Sequence, residues 1–391
     1  MKVVLVGTDL VQVTPNGGAI ERLICGWAES LAGWGHEVHV VSVGKINQET
    51  WDSHDGKVHV RPRGQQDRSV QKGRVISTWV PNSQSLAELV ESIGPHVTIL
   101  NNRPTWGAQI PGRVSHIFHN TLEALCVDNL DETGHLLNTQ QVMVVSDWLA
   151  GHIQDRLLLK NTPQVIPVFV DDVFLTGHCL GSREWGIETS KSAGNHSRPV
   201  LTAFFPNRLM KKKGLELFLE SLHILNTPGV LSVGDSQSAA WIGVVPNYIS
   251  PWDNPTQEHQ ELAKEVTEHP FARLIDPLVG AIESARAMVM SSVIVVPSIA
   301  PEGLGISAIE AQALGCCVVT SGQGGLREAT FWPNLTFADL NPESLARAIF
   351  EITATGPSHA RARLKLTRDL AKRFCVSQSA RSLLEAIEDG D

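Results

Sequence analysis

Residues 1–43, MKVVLVGTDLVQVTPNGGAIERLICGWAESLAGWGHEVHVVSV, decide the fold of the first part of the chain. The apolar run at 3–6 has the length of a strand, and residues 19–32 repeat apolar side chains at helical spacing. A second apolar run follows at 38–43. Strand-length runs that alternate with helix-length segments are typical of βαβ units around a parallel sheet. We therefore predict an α/β fold.

The same alternation continues along the rest of the chain. Between its two halves lies 176–199, TGHCLGSREWGIETSKSAGNHSRP, which is rich in Gly, Ser and charge and predicts a linker. We expect a Rossmann-like domain at 1–175 and a second one at 200–370. Further strand-length runs stand at 97–100, 115–118, 142–145, 165–168, 200–204, 239–245, 293–296 and 317–320, and a helix is predicted at 215–225.

Two other segments carry predictions about organisation. The stretch 246–261, with PNYISPWDNPTQEHQ as its main part, has no regular period and predicts a loop. The stretch 360–387 is amphipathic with a break near Phe374. We expect its last part, 371–391, to form a helix that crosses back to the N-terminal domain.

Length and composition narrow the class of protein. A chain of 391 residues exceeds the size of one hydrophobic core, so two domains are expected. The net charge of -9 argues against binding nucleic acid over a broad surface. The six cysteines show neither a C-x-x-C pair nor zinc-ligand spacing, so no disulfide framework or metal site is predicted. We predict a cytoplasmic protein without a spanning segment, while peripheral membrane contact stays open.

Three motifs contain residues that could bind an anion or the hydroxyl groups of a sugar. In TPNGGAIER at 14–22, Gly17 and Gly18 form a turn after the first strand and open a helix, whose free amides attract an anion. The same pattern also serves any doubly wound protein as an ordinary corner between strand and helix. Taken alone, this motif is therefore weak.

The second motif is FFPNRLMKKKGLELFLESL at 204–222, in which Arg208 and Lys213 flank a turn from strand to helix. The three lysines at 211–213 can be read as a solvated charge run. However, positive charge at the start of a helix opposes the helix dipole. We therefore predict an anionic partner, and a diphosphate would supply one.

The third motif is PSIAPEGLGISAIEAQALG at 297–315, with Glu302 in a Gly-rich turn and Glu310 in the helix that follows. An ionised carboxylate accepts hydrogen bonds from neighbouring hydroxyls, which suits a ribose or a hexose. Gly303 and Gly305 allow the main chain to approach a ligand. Two glutamates at this spacing also occur by chance in many helical proteins.

In this order and separation, NRLMKKKG and EGLGISAIEAQALG resemble family 4 of the retaining glycosyltransferases, which have the GT-B fold. The resemblance implies two Rossmann-like domains that face each other across a cleft, and transfer of a hexose-type sugar from a nucleoside-diphosphate donor with retention of configuration. It implies that Arg208 and Lys213 hold the diphosphate and that Glu310 holds the ribose. Glu302 would hold the transferred sugar, together with the amides of Gly303, Leu304, Gly305 and Ile306.

The resemblance also implies roles for residues of the N-terminal domain. Gly18, with Gly17, would complete the phosphate site, and a histidine would lie beside the transferred sugar. HIFHNT at 116–121 makes His119 the better match, with His116 as the competitor. The chain departs from the family pattern in having Asn207 where a glycine usually precedes the arginine. It also has IPVFVD at 166–171 where the family usually has I-P-N-G-V-D.

Donor, acceptor and cofactor follow from the same resemblance. A UDP-sugar is the expected donor, and the acceptor would be a sugar, a lipid-linked sugar or a small molecule. No cofactor is expected, and the absence of an internal D-x-D motif predicts that Arg208 and Lys213 replace a metal. Three alternatives stay open: a nucleotide-sugar epimerase of the same fold, a phosphorylase with a pyridoxal cofactor, and a non-catalytic subunit that binds a sugar nucleotide.

Overall fold

The computed structural model describes residues 1–8, 13–14, 17–43, 58–63, 66–71, 74–79, 85–176, 200–231, 239–248, 256–355 and 358–389. The chain divides into two compact units. The first contains Met1–Phe169 and Val376–Asp391, and the second contains Val170–Cys375. The predicted linker lies outside the described residues from residue 177 onward.

The first unit is an α/β unit around a parallel sheet. Its strands are β1 Lys2–Val6, β2 Glu37–Val43, β3 Val58–Arg63, β4 Gln66–Gln71, β5 Arg74–Trp79, β6 Val97–Asn101, β7 Val114–Phe118, β8 Gln141–Val144 and β9 Gln164–Val165. Its helices are α1 Ala19–Gly33, α2 Leu86–Ile93, α3 Leu122–Leu125, α4 Leu130–Leu137 and α5 Asp147–Leu157, together with the C-terminal helix Val376–Asp389. The parallel sheet has the order β3-β2-β1-β6-β7-β8-β9, and β4 and β5 form a separate antiparallel pair.

The second unit repeats this architecture. Its strands are β10 Val200–Phe204, β11 Ala240–Pro246, β12 Ala272–Ile275, β13 Val293–Val296, β14 Val318–Thr320 and β15 Leu335–Thr336, in the order β12-β11-β10-β13-β14-β15. Its helices are α6 Asp172–Thr176, α7 Leu215–Asn226, α8 Gln257–Glu268, α9 Gly280–Met290, α10 Ile306–Ala313, α11 Pro342–Thr355 and α12 Ala360–Arg373, so that Val376–Asp389 is α13. This strand order is that of a Rossmann sheet.

Burial explains why the central strands could be predicted. Every residue of β6, β7 and β13 is buried, as expected for parallel strands that are covered on both faces. The predicted runs at 200–204 and 293–296 coincide with β10 and β13. The predicted break near Phe374 is confirmed, since α12 ends at Arg373 and α13 begins at Val376. In the first unit α13 lies against α1, where Trp27 Nε1 donates to Ser379 Oγ at 2.8 Å.

Edge elements differ from the sequence predictions. The run at 165–168 forms a strand only at Gln164–Val165, because this is the edge strand and Pro167 has no N–H to donate. The edge strands β12 and β15 lack the continuous apolar run of a central strand and were not predicted.

The predicted loop at 246–261 is wrong at its C-terminal end. Helix α8 begins at Gln257, and the side chain of Thr256 caps it by accepting from His259 N at 3.1 Å. Residues 249–255 of the predicted loop lie outside the described residues. Among the described helices, none has both the length and the apolar character needed to cross a membrane.

Candidate functional site

The sheet of the second unit has a topological switch point between β10 and β13. Strand β10 pairs with β11 on one side and with β13 on the other. The strands that follow β10 in the chain are therefore added first on one side of it and later on the other. In open α/β sheets, ligands bind at the carboxyl ends of the strands at such a point. The loops at this edge are 205–214 after β10 and 297–305 after β13. They contain Arg208, Lys213 and Glu302.

Close backbone contacts tie these two loops together. Ile299 N donates to the carbonyl of Lys212 at 3.0 Å. Gly214 has φ 78°, and a Cβ atom there would lie 2.1 Å from the carbonyl oxygen of Pro297. Only glycine fits this approach and this conformation. The turn before α7 is thereby held against the loop after β13.

This contact brings Lys213, from the second motif, to Glu302, from the third. Lys213 Nζ lies 2.5 Å from Glu302 Oε1, and the two side chains are 23% and 19% exposed. Ser298 Oγ donates to the same oxygen at 2.5 Å. The main chain of Glu302 is fixed as well, because its N–H donates to Gln323 O and its carbonyl accepts from Gly325 N. The carboxylate therefore has a defined position.

The other lysines of this turn do not all share that role. Lys211 Nζ lies 3.0 Å from Glu216 Oε1 with both side chains about half exposed, and this hydrogen bond raises the pKa of Lys211. Exposed pairs of this kind contribute little. Lys211 thus fits the interpretation as solvated charge. Lys211 and Lys213 both have carboxylate partners within the chain. From the sequence, the anionic partner of these lysines was predicted to be a ligand.

Arg208 lies on the same loop and is exposed. Within the part of the chain that the structure describes, its guanidinium forms no hydrogen bond or ion pair. Its neighbour Asn207, at the position where the family usually has glycine, is 8% exposed, and its Nδ2 is buried without a hydrogen-bond partner among the described residues.

Glu310 is buried in α10, the helix that follows the loop after β13. Gly305 caps this helix at φ 101°, and a Cβ atom there would lie 2.3 Å from Leu326 Cδ2. The first amides of a helix have no acceptor within the helix. In α10 these include the amides of Gly305 and Ile306, which lie at the same edge of the sheet as Lys213 and Glu302.

The first unit has its own switch point, between β1 and β6, and His119 lies beside it. His119 directly follows β7, and its Nε2 is 2.9 Å from Asn101 Oδ1 at the end of β6. Asn101 Nδ2 donates to Val6 O at the end of β1, at 2.9 Å. Since the amide nitrogen faces that carbonyl, Oδ1 must accept, and Nε2 of His119 carries the proton. Nδ1 is then the acceptor nitrogen.

Burial keeps both candidate histidines neutral. It lowers the pKa of His119 to about 3 and that of His116 to about 4. His116 lies within β7, and its Nε2 is 2.6 Å from Gln140 Oε1, a contact typical of a buried structural histidine. His119 is the one that stands at the carboxyl edge of the sheet. A neutral imidazole there can accept a hydrogen bond but cannot supply a positive charge.

A buried carboxylate near Gly18 was missed by the sequence analysis. Gly18 caps α1, and a Cβ atom at Gly18 would lie 2.6 Å from Glu21 Oε2. Glu21 is 4% exposed, and Thr8 Oγ1 donates to its Oε1 at 2.7 Å. An acidic residue at the third helical position after the cap is the sequence signal that could have revealed it. Gly17 donates to Thr14 O at 2.9 Å, which closes the turn before the helix.

Comparison with solved structures identifies the fold class. Sucrose-phosphate synthase from Thermosynechococcus elongatus is 17% identical with a TM-score of 0.73, over 99% of this chain and 98% of that chain. A glycosyltransferase from Rickettsia africae is 18% identical with a TM-score of 0.71, over 99% and 98%. HepE from Anabaena, solved in complex with UDP and glucose, is 14% identical with a TM-score of 0.67, over 100% of both chains. The predicted α/β fold of GT-B type, with two Rossmann-like units, is confirmed.

A family match points in the same direction. Residues 201–355, within the second unit, match the family described as glycosyl transferases group 1. The matched region includes Arg208, Lys213, Glu302 and Glu310. No curated protein sequence shows significant similarity to the chain. The family match and the shared fold together support a glycosyltransferase.

Proposed function

We propose that the protein is a retaining glycosyltransferase that moves a hexose-type sugar from a nucleoside-diphosphate donor to an acceptor hydroxyl. The observation that carries the proposal is the 2.5 Å contact between Lys213 and Glu302 at the switch point of the second unit. Arg208 lies on the same loop as Lys213. Two cations and a carboxylate at this edge suit a diphosphate linked to a sugar.

The two cations would stabilise the leaving group. When the bond between the sugar and the diphosphate breaks, negative charge builds on the leaving oxygen. The ammonium of Lys213 has three N–H donors, and Glu302 uses one of them, so two can reach phosphate oxygens. The exposed guanidinium of Arg208 can form a paired contact with phosphate. We propose that these two groups act without a metal.

The carboxylates would hold hydroxyl groups. Oε1 of Glu302 already accepts from Lys213 and Ser298, so Oε2 is the oxygen that can accept from the transferred sugar. Glu310 in α10 is assigned to the ribose, and the amides of Gly303, Leu304, Gly305 and Ile306 to the sugar, as the family resemblance implies. The resemblance also assigns His119 to the sugar and Gly17 and Gly18 to the phosphates. Burial leaves the His119 imidazole neutral, so that it would act as a hydrogen-bond acceptor.

A UDP-sugar is the first donor to test, because HepE from Anabaena has been solved with UDP and with UDP-glucose. The acceptor class follows from the resemblance alone: a sugar, a lipid-linked sugar or a small molecule. We propose action in the cytoplasm, and peripheral membrane contact would suit a lipid-linked acceptor.

Nucleotide binding by the purified full-length chain is the first test. We expect one of UDP, GDP and ADP, each assayed with its glucose or mannose adduct, to raise the melting temperature. A ligand at 100 times its dissociation constant stabilises by about 2.7 kcal/mol. Failure of every nucleotide to shift the melting temperature would contradict the proposal.

The second test incubates the bound donor with acceptor pools, with and without a chelator. We expect nucleoside diphosphate to be released, the chelator to have no effect, and the product to keep the donor's anomeric configuration by NMR. An epimer formed without acceptor would instead indicate the epimerase. Donor binding with no turnover on any acceptor would indicate a non-catalytic subunit.

A further inference from the structure

The hydroxyl of Ser298 lies in the loop after β13, four residues before Glu302, and has no exposed surface. Its Oγ donates its only proton to Glu302 Oε1 at 2.5 Å. Lys213 Nζ donates to the same oxygen. One carboxylate oxygen thus receives two donors, one from a mobile four-carbon side chain and one from a short buried hydroxyl. The two donors differ in how firmly they fix the carboxylate.

Main-chain hydrogen bonds hold Ser298 itself in place. Its carbonyl accepts from Ser321 Oγ at 2.6 Å, and Ser321 N donates to Val296 O at 3.1 Å. Gln323 N donates to Ser321 Oγ at 3.4 Å, and Gln323 O accepts from Glu302 N at 3.3 Å. These bonds form a closed circuit between the loops after β13 and β14. The Ser298 hydroxyl is the member of the circuit that reaches the Glu302 side chain.

We propose that Ser298 is a positioning residue that fixes Glu302 for the transferred sugar, independently of Lys213. The inference rests on the proposed function. Lys213 is assigned to the diphosphate, and a lysine that turns toward phosphate loosens its hold on Glu302. Ser298 has no such second partner, because its proton has one acceptor. It keeps Oε1 occupied and Oε2 directed to the sugar hydroxyls while Lys213 engages the donor.

The proposed role of Ser298 predicts which part of the donor loses affinity when its hydroxyl is removed. Since Ser298 acts through the sugar-binding carboxylate, its loss should affect the sugar portion of the donor and not the nucleotide portion. A hydrogen bond to a charged group contributes enough for about a 10- to 100-fold effect. We therefore expect Ser298→Ala to weaken UDP-glucose binding and transfer by about 10- to 100-fold, with UDP affinity within about twofold of wild type.

The experiment compares dissociation constants for UDP and UDP-glucose, or for the GDP or ADP pair if that base is the one bound, in wild type and Ser298→Ala. Ser221→Ala is the matched control, because it removes a hydroxyl that is equally buried and that donates to Phe218 O within α7, outside the circuit. We expect it to lower stability and to keep the ratio of the two constants within about twofold. Ser298→Cys, which keeps a weak donor, should fall between wild type and Ser298→Ala.

A double-mutant cycle with Glu302→Ala, which removes the acceptor of the Ser298 hydroxyl, separates positioning from general structural damage. If Ser298 acts through Glu302, Ser298→Ala should have less than about a twofold further effect in the Glu302→Ala background. An equal loss in both backgrounds, or equal weakening of UDP and UDP-glucose, overturns the inference and leaves the transferase proposal standing. Wild-type protein that binds none of the three nucleotide pairs overturns both.

Discussion

Replacement of Lys213 by methionine removes the ammonium while keeping most of the apolar stem. In the folded protein Nζ donates to Glu302 Oε1 at 2.5 Å, with the two side chains 23% and 19% exposed. A hydrogen bond between charged groups contributes about 1.5–3 kcal/mol, and partial exposure moves the expected loss toward about 1–2 kcal/mol. Ser298 still donates to the same oxygen. The free energy of unfolding should therefore fall modestly and the fold should persist.

The effect of Lys213→Met on turnover should be larger than its effect on stability. Removing one fixed donor to a developing negative charge lowers the rate by about 100- to 1000-fold, which corresponds to about 2.7–4 kcal/mol. Urea unfolding measures the stability change. Release of nucleoside diphosphate at saturating donor and acceptor measures turnover, at a temperature where both proteins are folded.

Lys211→Met is the matched control for this experiment. Lys211 stands two residues away, and its exposed contact with Glu216 predicts little change in the free energy of unfolding and turnover within about twofold of wild type. If the Lys213→Met variant is folded and its turnover is within about threefold of wild type, the assignment of Lys213 to the leaving group is refuted. Equal losses in the two variants would refute the distinction between them.

Three further substitutions test other parts of the structure. Gly214→Ala should lower the free energy of unfolding by more than about 1 kcal/mol and should also lower turnover, because φ 78° and the Pro297 carbonyl leave no room for Cβ. Urea unfolding measures the first effect, and release of nucleoside diphosphate measures the second. Asn207→Ala should leave the free energy of unfolding within about 1 kcal/mol of wild type, since its buried Nδ2 has no hydrogen-bond partner among the described residues to lose. A larger loss in a urea titration would contradict this. His119 is buried and neutral with a pKa of about 3, below its unfolded value, so the unfolded state binds the extra proton and stability falls as pH decreases from about 6.5 toward 3. His119→Gln should reduce that slope in unfolding measured at several pH values, and an unchanged slope would contradict the burial argument.

Much of the fold could be predicted because the central strands are mostly apolar. The runs at 200–204 and 293–296 match β10 and β13, since parallel strands that are covered on both faces favour apolar runs. Edge strands such as β12 have half-exposed residues, and their sequence carries no such signal. Helix α8 was hidden for a related reason, because its start adjoins a Pro- and Asn-rich segment.

The candidate site was predicted in part. The resemblance assigned Lys213 and Glu302 to parts of one donor, and their side chains lie in contact. Lysines near a helix start do not by themselves require an anionic ligand, because here Glu216 and Glu302 supply carboxylates from the chain itself. Three lysines in a row look alike in sequence. Which of them reaches the site depends on the turn that Gly214 forms.

By itself, the sequence determined the alternation of strands and helices, and with it an α/β chain in which a basic and an acidic motif each follow a strand. These features are local, since apolar periodicity and turn residues act over a few positions. The tertiary structure decided which side chains meet. The contact of Lys213 with Glu302 joins the loops after β10 and β13, and the bond of His119 to Asn101 joins the ends of β7 and β6. Such contacts depend on strand order in the sheet, which only the folding of the whole unit establishes.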